Sequence, residues 1–288
     1  MRTTPTRFAT VCFVAVIALC ALSTKGTRAG IVAYWDFNDN FAAYGGNSAY
    51  DLTAENGASI QAAAARFGSG GADFQRALLQ YAFVNNATVV ASGSDFSYSA
   101  WYYLDLENIP NTTDRYFVLE ATNTSGATPN RVYPISLGLR DLSPEGADEV
   151  AQVYTSINNG SIGTNASIPT VPNKTWYNMI VTYDASAEDI TFYFNGTSFG
   201  TTTLTGAVDA ADRLVVGGHR TGTGRNWEGY IDDVAIWDEV ISSAEIARLQ
   251  TEPVVPVPEP SSVLLACTGL LSGGGMFLRR RRPTSLPT

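Results

Sequence analysis

The chain is poor in the side chains that most protein chemistry depends on. It has three cysteines and one histidine in 288 residues. Cys12 and Cys20 lie in an N-terminal apolar run and Cys267 in a C-terminal one, so residues 30–252 have none. That stretch therefore holds no disulfide, no cysteine zinc site and no thiol nucleophile. The single histidine, His219, excludes a multi-histidine metal site, and any Ser-His-Asp triad would have to use it. Lysine is almost missing too, with Lys174 alone between residues 30 and 252. Without cross-links, a stretch of about 220 residues must be stabilised by one sizeable apolar core.

Positive charge is also scarce, and its distribution matters. Residues 30–252 carry 26 acidic and 10 basic side chains, a net charge of −16. The whole-chain value of −9 hides this, because eight of the 18 basic residues sit in the two terminal segments. Such a surface repels nucleic acid and anionic lipid, so no nucleic-acid partner is expected.

The terminal segments read as targeting signals. Arg2 and Arg7 precede the apolar run Phe8 to Leu22, and Thr27-Arg28-Ala29 fits a signal-peptidase site. Residues 1–29 are expected to be a signal peptide. At the other end, Thr251 to Pro260 is a Pro-rich, semi-rigid linker. Ser261–Leu278 then runs 18 residues without a charge, before Arg279, Arg280, Arg281 and Arg282. A bilayer core needs roughly 20 apolar helical residues, with a lower limit near 17, so 261–278 is expected to be a transmembrane helix. Four arginines after a span stay cytoplasmic, which places the preceding residues across the membrane. Residues 283–288 are a short tail.

Between these ends strand signals dominate and helix is scarce. In "SDFSYSAWYYLDL" Phe96, Tyr98, Ala100, Tyr102 and Leu104 share one face, opposite Ser97, Ser99 and Tyr103. Tyr102 is thus read as core and Tyr103 as sheet surface. Asn195-Gly196, after alternating Ile190, Phe192 and Phe194, predicts a tight type I′ hairpin. The best helix signal is Ser242–Leu249, where Ser242 or Ser243 can cap and Glu245 completes an S-x-x-E capping box. Many short strands separated by Gly/Asn turns predict an all-β antiparallel two-sheet sandwich over residues 30–250.

Several segments in order strengthen this reading. "YWDFNDNFAAYGGNSAYDLTAENGASI", "WYNMIVTYDASAEDITFYFNGTSFG" and "RLVVGGHRTGTGRNWEGYIDDVAIWDEVISSAEI" resemble laminin G-like, concanavalin A-like jelly-roll domains. The resemblance implies two curved sheets, with the first strand near Val32–Phe37 beside the last near Ile231–Trp237. Pro258-Glu259-Pro260, the span and the arginines, over 257–282, resemble the PEP-CTERM sorting signal. That resemblance implies a Gram-negative host making extracellular polysaccharide, and an exosortase as processing partner. It also implies anchoring in the inner membrane, then residence in the envelope, on the outer surface or in a biofilm matrix after C-terminal processing.

Candidate sites follow from both sources. Jelly-roll glucanases use Glu-x-Asp-x-x-Glu, which this sequence lacks; Glu145, Asp148 and Glu149 fall in a loop-like "SPEGADEV". Adjacent acids such as Asp232 and Asp233 point to opposite faces of a strand. No enzyme is expected. Carbohydrate binding needs exposed aromatics with polar neighbours, and the loop "HRTGTGRNWEG" offers Trp227 and His219 with Arg220, Arg225 and Asn226. Trp227 packing over the sheet edge is the alternative. The family resemblance implies a structural calcium ion, for which Asp36, Asp39 and Asp232 are candidate ligands, or else turn-capping carboxylates. The expected function is an exported, non-catalytic carbohydrate-binding or adhesion module, with a purely structural matrix protein as the alternative.

Overall fold

A computed structural model describes residues 30–105, 115–123, 135–141, 151–157, 162–163, 166–167, 174–203, 208–220 and 224–254. The expected signal peptide, the sorting residues Pro258, Glu259, Pro260 and Arg279 to Arg282, the expected span 261–278, and Glu145, Asp148 and Glu149 lie outside them. Among the described residues, no helix is long and apolar enough to cross a membrane.

Runs that alternate apolar with polar residues have one dry face and form strands that pair at an interface. In chain order these are β1 (Ile31–Trp35), β2 (Thr53–Glu55), β3 (Ser59–Gln61), β4 (Gly71–Phe74), β5 (Tyr81–Val90), β6 (Phe96–Leu104), β7 (Arg115–Thr122) and β8 (Ile135–Asp141). Then come β9 (Ala151–Ile157), β10 (Ile162–Gly163), β11 (Ala166–Ser167), β12 (Trp176–Asp184), β13 (Asp189–Phe194), β14 (Thr197–Thr203), β15 (Ala211–Val216) and β16 (Gly229–Trp237). One sheet has the order β14-β13-β12-β6-β16-β4-β3, with β1 also on β16. The other has the order β10-β9-β8-β7-β15-β5-β2, with β11 also on β9. Every pairing is antiparallel, so the fold is the expected all-β two-sheet sandwich.

The main core lies between the sheets. Phe96, Tyr98, Ala100, Tyr102 and Leu104 of β6 all enter it, as their alternation predicts. Tyr177, Met179, Val181 and Tyr183 of β12 join them, with Trp35, Phe74, Leu214 and Val216. Each fully buried large apolar side chain contributes roughly 1.5–3 kcal/mol relative to exposure. A second cluster sits on the outer side of the first sheet. There Tyr34, Ile180, Ala235 and Trp237 pack against Ile246 and Leu249.

The first strand lies on the last, as expected: Ile31 pairs with Trp237 and Trp35 with Val234. β16 serves two partners on that edge, β4 through Gly229–Ile231 and β1 through Val234–Trp237. The change occurs at a one-residue bulge after Asp232, where Asp233 takes a positive φ of 52°. The extra residue restores the alternation, so Ile231 and Val234 both face the core. At the other end of the sheet, Asn195 (φ 46°) and Gly196 (φ 74°) make the predicted tight turn between β13 and β14. The helix α1 spans Ser243–Arg248, and the Ser242 side chain accepts from the Glu245 N–H at 3.2 Å.

Candidate functional site

Side chains on the outer face of the first sheet fall into cross-strand rows, and neighbouring rows meet different fates. Asn178, Trp101 and Asp232 form one row across β12, β6 and β16, and all three are buried. The chain after α1 covers this row. The Gln250 amide donates to Asn178 Oδ1 at 2.9 Å, and Trp101 Nε1 donates to the Leu249 carbonyl at 3.2 Å. The loop before β4 covers it too, with Arg66 4.2 Å above the Trp101 ring and Phe67 edge-on to that ring at 5.8 Å.

The next row has no such cover. It runs Trp176–Tyr103–Tyr230–Asp73 across β12, β6, β16 and β4, and each member is only half-buried. The Tyr103 and Tyr230 rings stack at 5.1 Å and 26°, and Trp176 lies 5.6 Å from Tyr103 and 6.5 Å from Tyr230. Three rings therefore form one contiguous patch beside the covered row.

This patch borders an open cleft of about 500 Å³, lined by Tyr103, Tyr230, Asp73, Gln75, Asp105 and Glu228. Glu228 is held there by the Arg76 backbone N–H, which donates to Oε2 at 2.8 Å. The Glu228 carboxyl is pushed up first by burial, then by Asp105 and Asp73, against the pull of that N–H and of the Arg76 charge. Burial also raises Asp73. Lys174 Nζ stands 3.9 Å from Asp105 Oδ2, an exposed pair worth at most about 1 kcal/mol.

Of the loop residues named from the sequence, Trp227, Asn226 and His219 are buried, and Arg220 and Arg225 are half-buried. Trp227 is fully buried, donates from Nε1 to the Tyr103 carbonyl at 3.3 Å, and meets Tyr102 edge-on at 5.3 Å. Its indole is a packing element between the sheets and offers no face to a ligand. Asn226 is also fully buried and donates to the Gln80 carbonyl at 3.0 Å. His219 is 7 % exposed, and its ring lies 5.5 Å from that of Phe117. Arg220 turns inward to the buried Glu120, with Nη1 3.0 Å from Oε1 and its backbone N–H on Oε2. The same Nη1 lies 2.6 Å from His219 Nε2. Burial, then Arg220 and Arg225, push the His219 pKa down to about 4, so its neutral ring accepts from Arg220 near neutral pH. Arg225 is half-buried, and its carbonyl accepts from the Phe117 N–H. Trp227, Asn226 and His219 therefore face inward, and Arg220 and Arg225 are partly exposed.

The acidic candidates make local hydrogen bonds or are exposed. Among the described residues, no three His, Cys, Asp or Glu side chains converge as metal ligands. Asp232 accepts three backbone N–H bonds, from Arg66 (2.7 Å), Phe67 (3.1 Å) and Asp233 (2.8 Å), and so ties the loop before β4 to the bulge. Asp36 accepts from its neighbour Asn38, and Asp39 is exposed. Asp36 does line a small cleft of about 180 Å³ with Tyr34 and Asp233. There Asp233 accepts from the Tyr34 hydroxyl at 2.7 Å and from the Val254 N–H at 3.1 Å. Burial raises Asp232 to about 7 and Asp233 to about 6.

Known structures share this architecture. Domain 4 of the extracellular arabinanase AbnA of Geobacillus stearothermophilus, solved with arabinotriose, aligns with a TM-score of 0.55 at 14% identity, over 77% of this chain and 99% of that one. The binding domain of Paraclostridial Mosquitocidal Protein 1 aligns at 0.54 and 15%, over 77% and 52%. The botulinum neurotoxin serotype D ligand-binding domain, solved with N-acetylneuraminic acid, aligns at 0.51 and 13%, over 77% and 50%. Among curated proteins none matches. Residues 256–282 match the PEP-CTERM protein-sorting motif. Residues 79–247 match the laminin G-type family described as the concanavalin A-like lectin/glucanases superfamily, and with the two-sheet antiparallel sandwich around them this chain belongs to that superfamily.

Proposed function

We propose that this chain is an exported, non-catalytic glycan-binding or adhesion module whose ligand docks on the Trp176–Tyr103–Tyr230 patch. One observation carries the reading: beside a covered row on the outer face, three half-buried rings stack in a contiguous patch, and two of them, Tyr103 and Tyr230, line a cleft of about 500 Å³. Sugar rings present C–H faces that stack on aromatic rings, and their hydroxyls need polar neighbours, which Gln75, Asp73 and Glu228 supply. The arabinotriose and N-acetylneuraminic acid named for two neighbours support the class of ligand, not its identity. The sorting motif supports export, exosortase processing, passage through the inner membrane and residence at the envelope or in an extracellular polysaccharide matrix.

The test is a glycan array, followed by calorimetry with the best hit. Trp176→Ala and Tyr230→Ala should each weaken binding by tenfold or more, since stacked-ring contacts are worth about 1–3 kcal/mol. Trp227→Phe should bind as wild type. Binding that ignores the patch variants would overturn this site. No glycan binding at all would favour the structural matrix role. Release of reducing ends from a polysaccharide by the pure protein would reject the non-catalytic reading.

A further inference from the structure

We infer that the cleft selects glycans by charge and takes an amino sugar with a free, protonated amine. This rests on the glycan-binding reading above and deepens it.

Asp73, Asp105 and Glu228 line one wall around Tyr103 and Tyr230, and the remaining polar side chain is the neutral Gln75. Two of the three approach along the strands themselves. Asp73 pairs with Tyr230 across β4 and β16, and Glu228 directly precedes Gly229 of β16. The third, Asp105, follows β6, and its N–H donates to the Glu228 carbonyl at 3.0 Å. That bond fixes the two acidic segments side by side. Two cations act on this wall: Lys174 Nζ stands 3.9 Å from Asp105 Oδ2, and the Arg76 charge pulls on Glu228 while its guanidinium lies over the Tyr116 ring at 5.1 Å, so the carboxylates that line the cleft outnumber these two cations.

Like charges held together in a partly desolvated cleft repel, and a cation arriving with the ligand relieves that cost. An ammonium on a pyranose ring is well suited to this position. The ring stacks on Tyr103 and Tyr230 while its amine reaches the acidic wall, and the Tyr and Trp faces add cation–π attraction. A uronic acid or sialic acid would bring a fourth negative charge to the same wall. Acetylating the amine removes the charge and leaves the stacking.

The test uses one scaffold with three substituents. Hexamers of β-1,4-linked glucosamine, its N-acetylated form and glucose are titrated into the full chain in detergent micelles, with oligogalacturonate as the anionic comparison. At about pH 6 the amine is protonated. The glucosamine hexamer should bind at least about tenfold tighter than either neutral hexamer. Oligogalacturonate should not bind. Asp73→Asn and Glu228→Gln should each remove most of that preference, weakening the amine far more than the neutral hexamers, since the amides still hydrogen-bond hydroxyls and the amide oxygen introduced by Glu228→Gln can still accept from the Arg76 N–H. Tyr230→Ala should abolish binding of all three hexamers.

Three results would count against the inference. If the neutral hexamers match the amine, or the two carboxylate variants leave the preference intact, charge selection is wrong and the glycan reading stands. If Tyr230→Ala still binds the amine, the net −16 surface attracts it without this cleft, and the site is wrong as well. If no hexamer binds, the amino-sugar inference fails, while the glycan reading is decided by the array.

Discussion

Trp227 and His219 sit in one loop and carry opposite lessons about burial. Trp227 fills the space between the sheets, so removing it leaves a cavity that the surrounding strands cannot close. Trp227→Ala should cost about 3–5 kcal/mol in urea unfolding, and Trp227→Phe distinctly less. His219 is uncharged because charging it would place a cation in a buried site beside Arg220 and Arg225. Its pKa is about 4 in the folded state against an ordinary value near 6.5. The unfolded chain therefore binds the proton first, and stability is lost as pH falls from about 6.5 toward 4. Asp232 and Asp233 act in the opposite direction. Raised to about 7 and about 6, they bind protons in the folded state first, so their contribution is full below the ordinary Asp range and fades as pH rises through those values. Comparing His219→Gln with wild type separates the two. Between about pH 7 and pH 5 the wild type should lose about 2 kcal/mol more than the variant in urea midpoints. Because the chain has one histidine, NMR titration of its ring reads the low pKa without assignment.

Strands were legible where alternation is strict and illegible where register matters. The β6 pattern, the Asn195-Gly196 turn and the Ser242 cap are local rules, and each recurs in the fold. Tyr103 was readable as sheet surface for the same reason. Its partners were not, because Trp176 and Tyr230 come from strands more than 70 and 120 residues away, and only the β12–β6–β16 register brings them together. Trp227 misled for a related reason. Glycines and polar residues around it signal a loop, but do not say which side of that loop faces the core. Gly229 shows how finely the register is held. Its φ is +119°, and an added Cβ would lie 2.2 Å from the Tyr103 carbonyl oxygen. Gly229→Ala must push β16 away from β6 directly beneath the Tyr103–Tyr230 stack. The expected outcome is a loss of about 2 kcal/mol or more in stability and a larger loss of ligand affinity than in a control such as Gly224→Ala, which has open space around it. Equal binding by the two variants would show that ring spacing is not what the ligand reads.

At the scale of the whole molecule, the fold is closed by the residues that lead to the sorting motif. Val254 is buried, and its N–H reaches both oxygens of Asp233, which also holds the Tyr34 hydroxyl of β1. First strand, last strand and chain exit are thus joined at one carboxylate, and the matched sorting motif begins two residues later, at residue 256. Pro258 follows Val254 by four residues, so the PEP tripeptide begins no more than about 14 Å of chain from the docked surface. A processing enzyme reading it works against the folded domain itself. The clasp also predicts where the domain can be cut. A chain of residues 30–254 keeps both cores and should unfold cooperatively. A chain ending at Gln250 loses the Val254 side chain and an N–H partner of the buried Asp233, leaving an under-satisfied carboxylate beside an uncovered apolar cluster. It should be less stable by about 3 kcal/mol, or roughly 6–12 °C in Tm for a domain of this size. Because Asp233 then meets water, its raised pKa should also relax toward the ordinary Asp range. The shortened chain would therefore lose part of the stability gained on acidification from about pH 6 to pH 4. Calorimetry of the two chains at both pH values reads this directly, and equal Tm values would show that residues 251–254 are a passive linker rather than the last part of the fold.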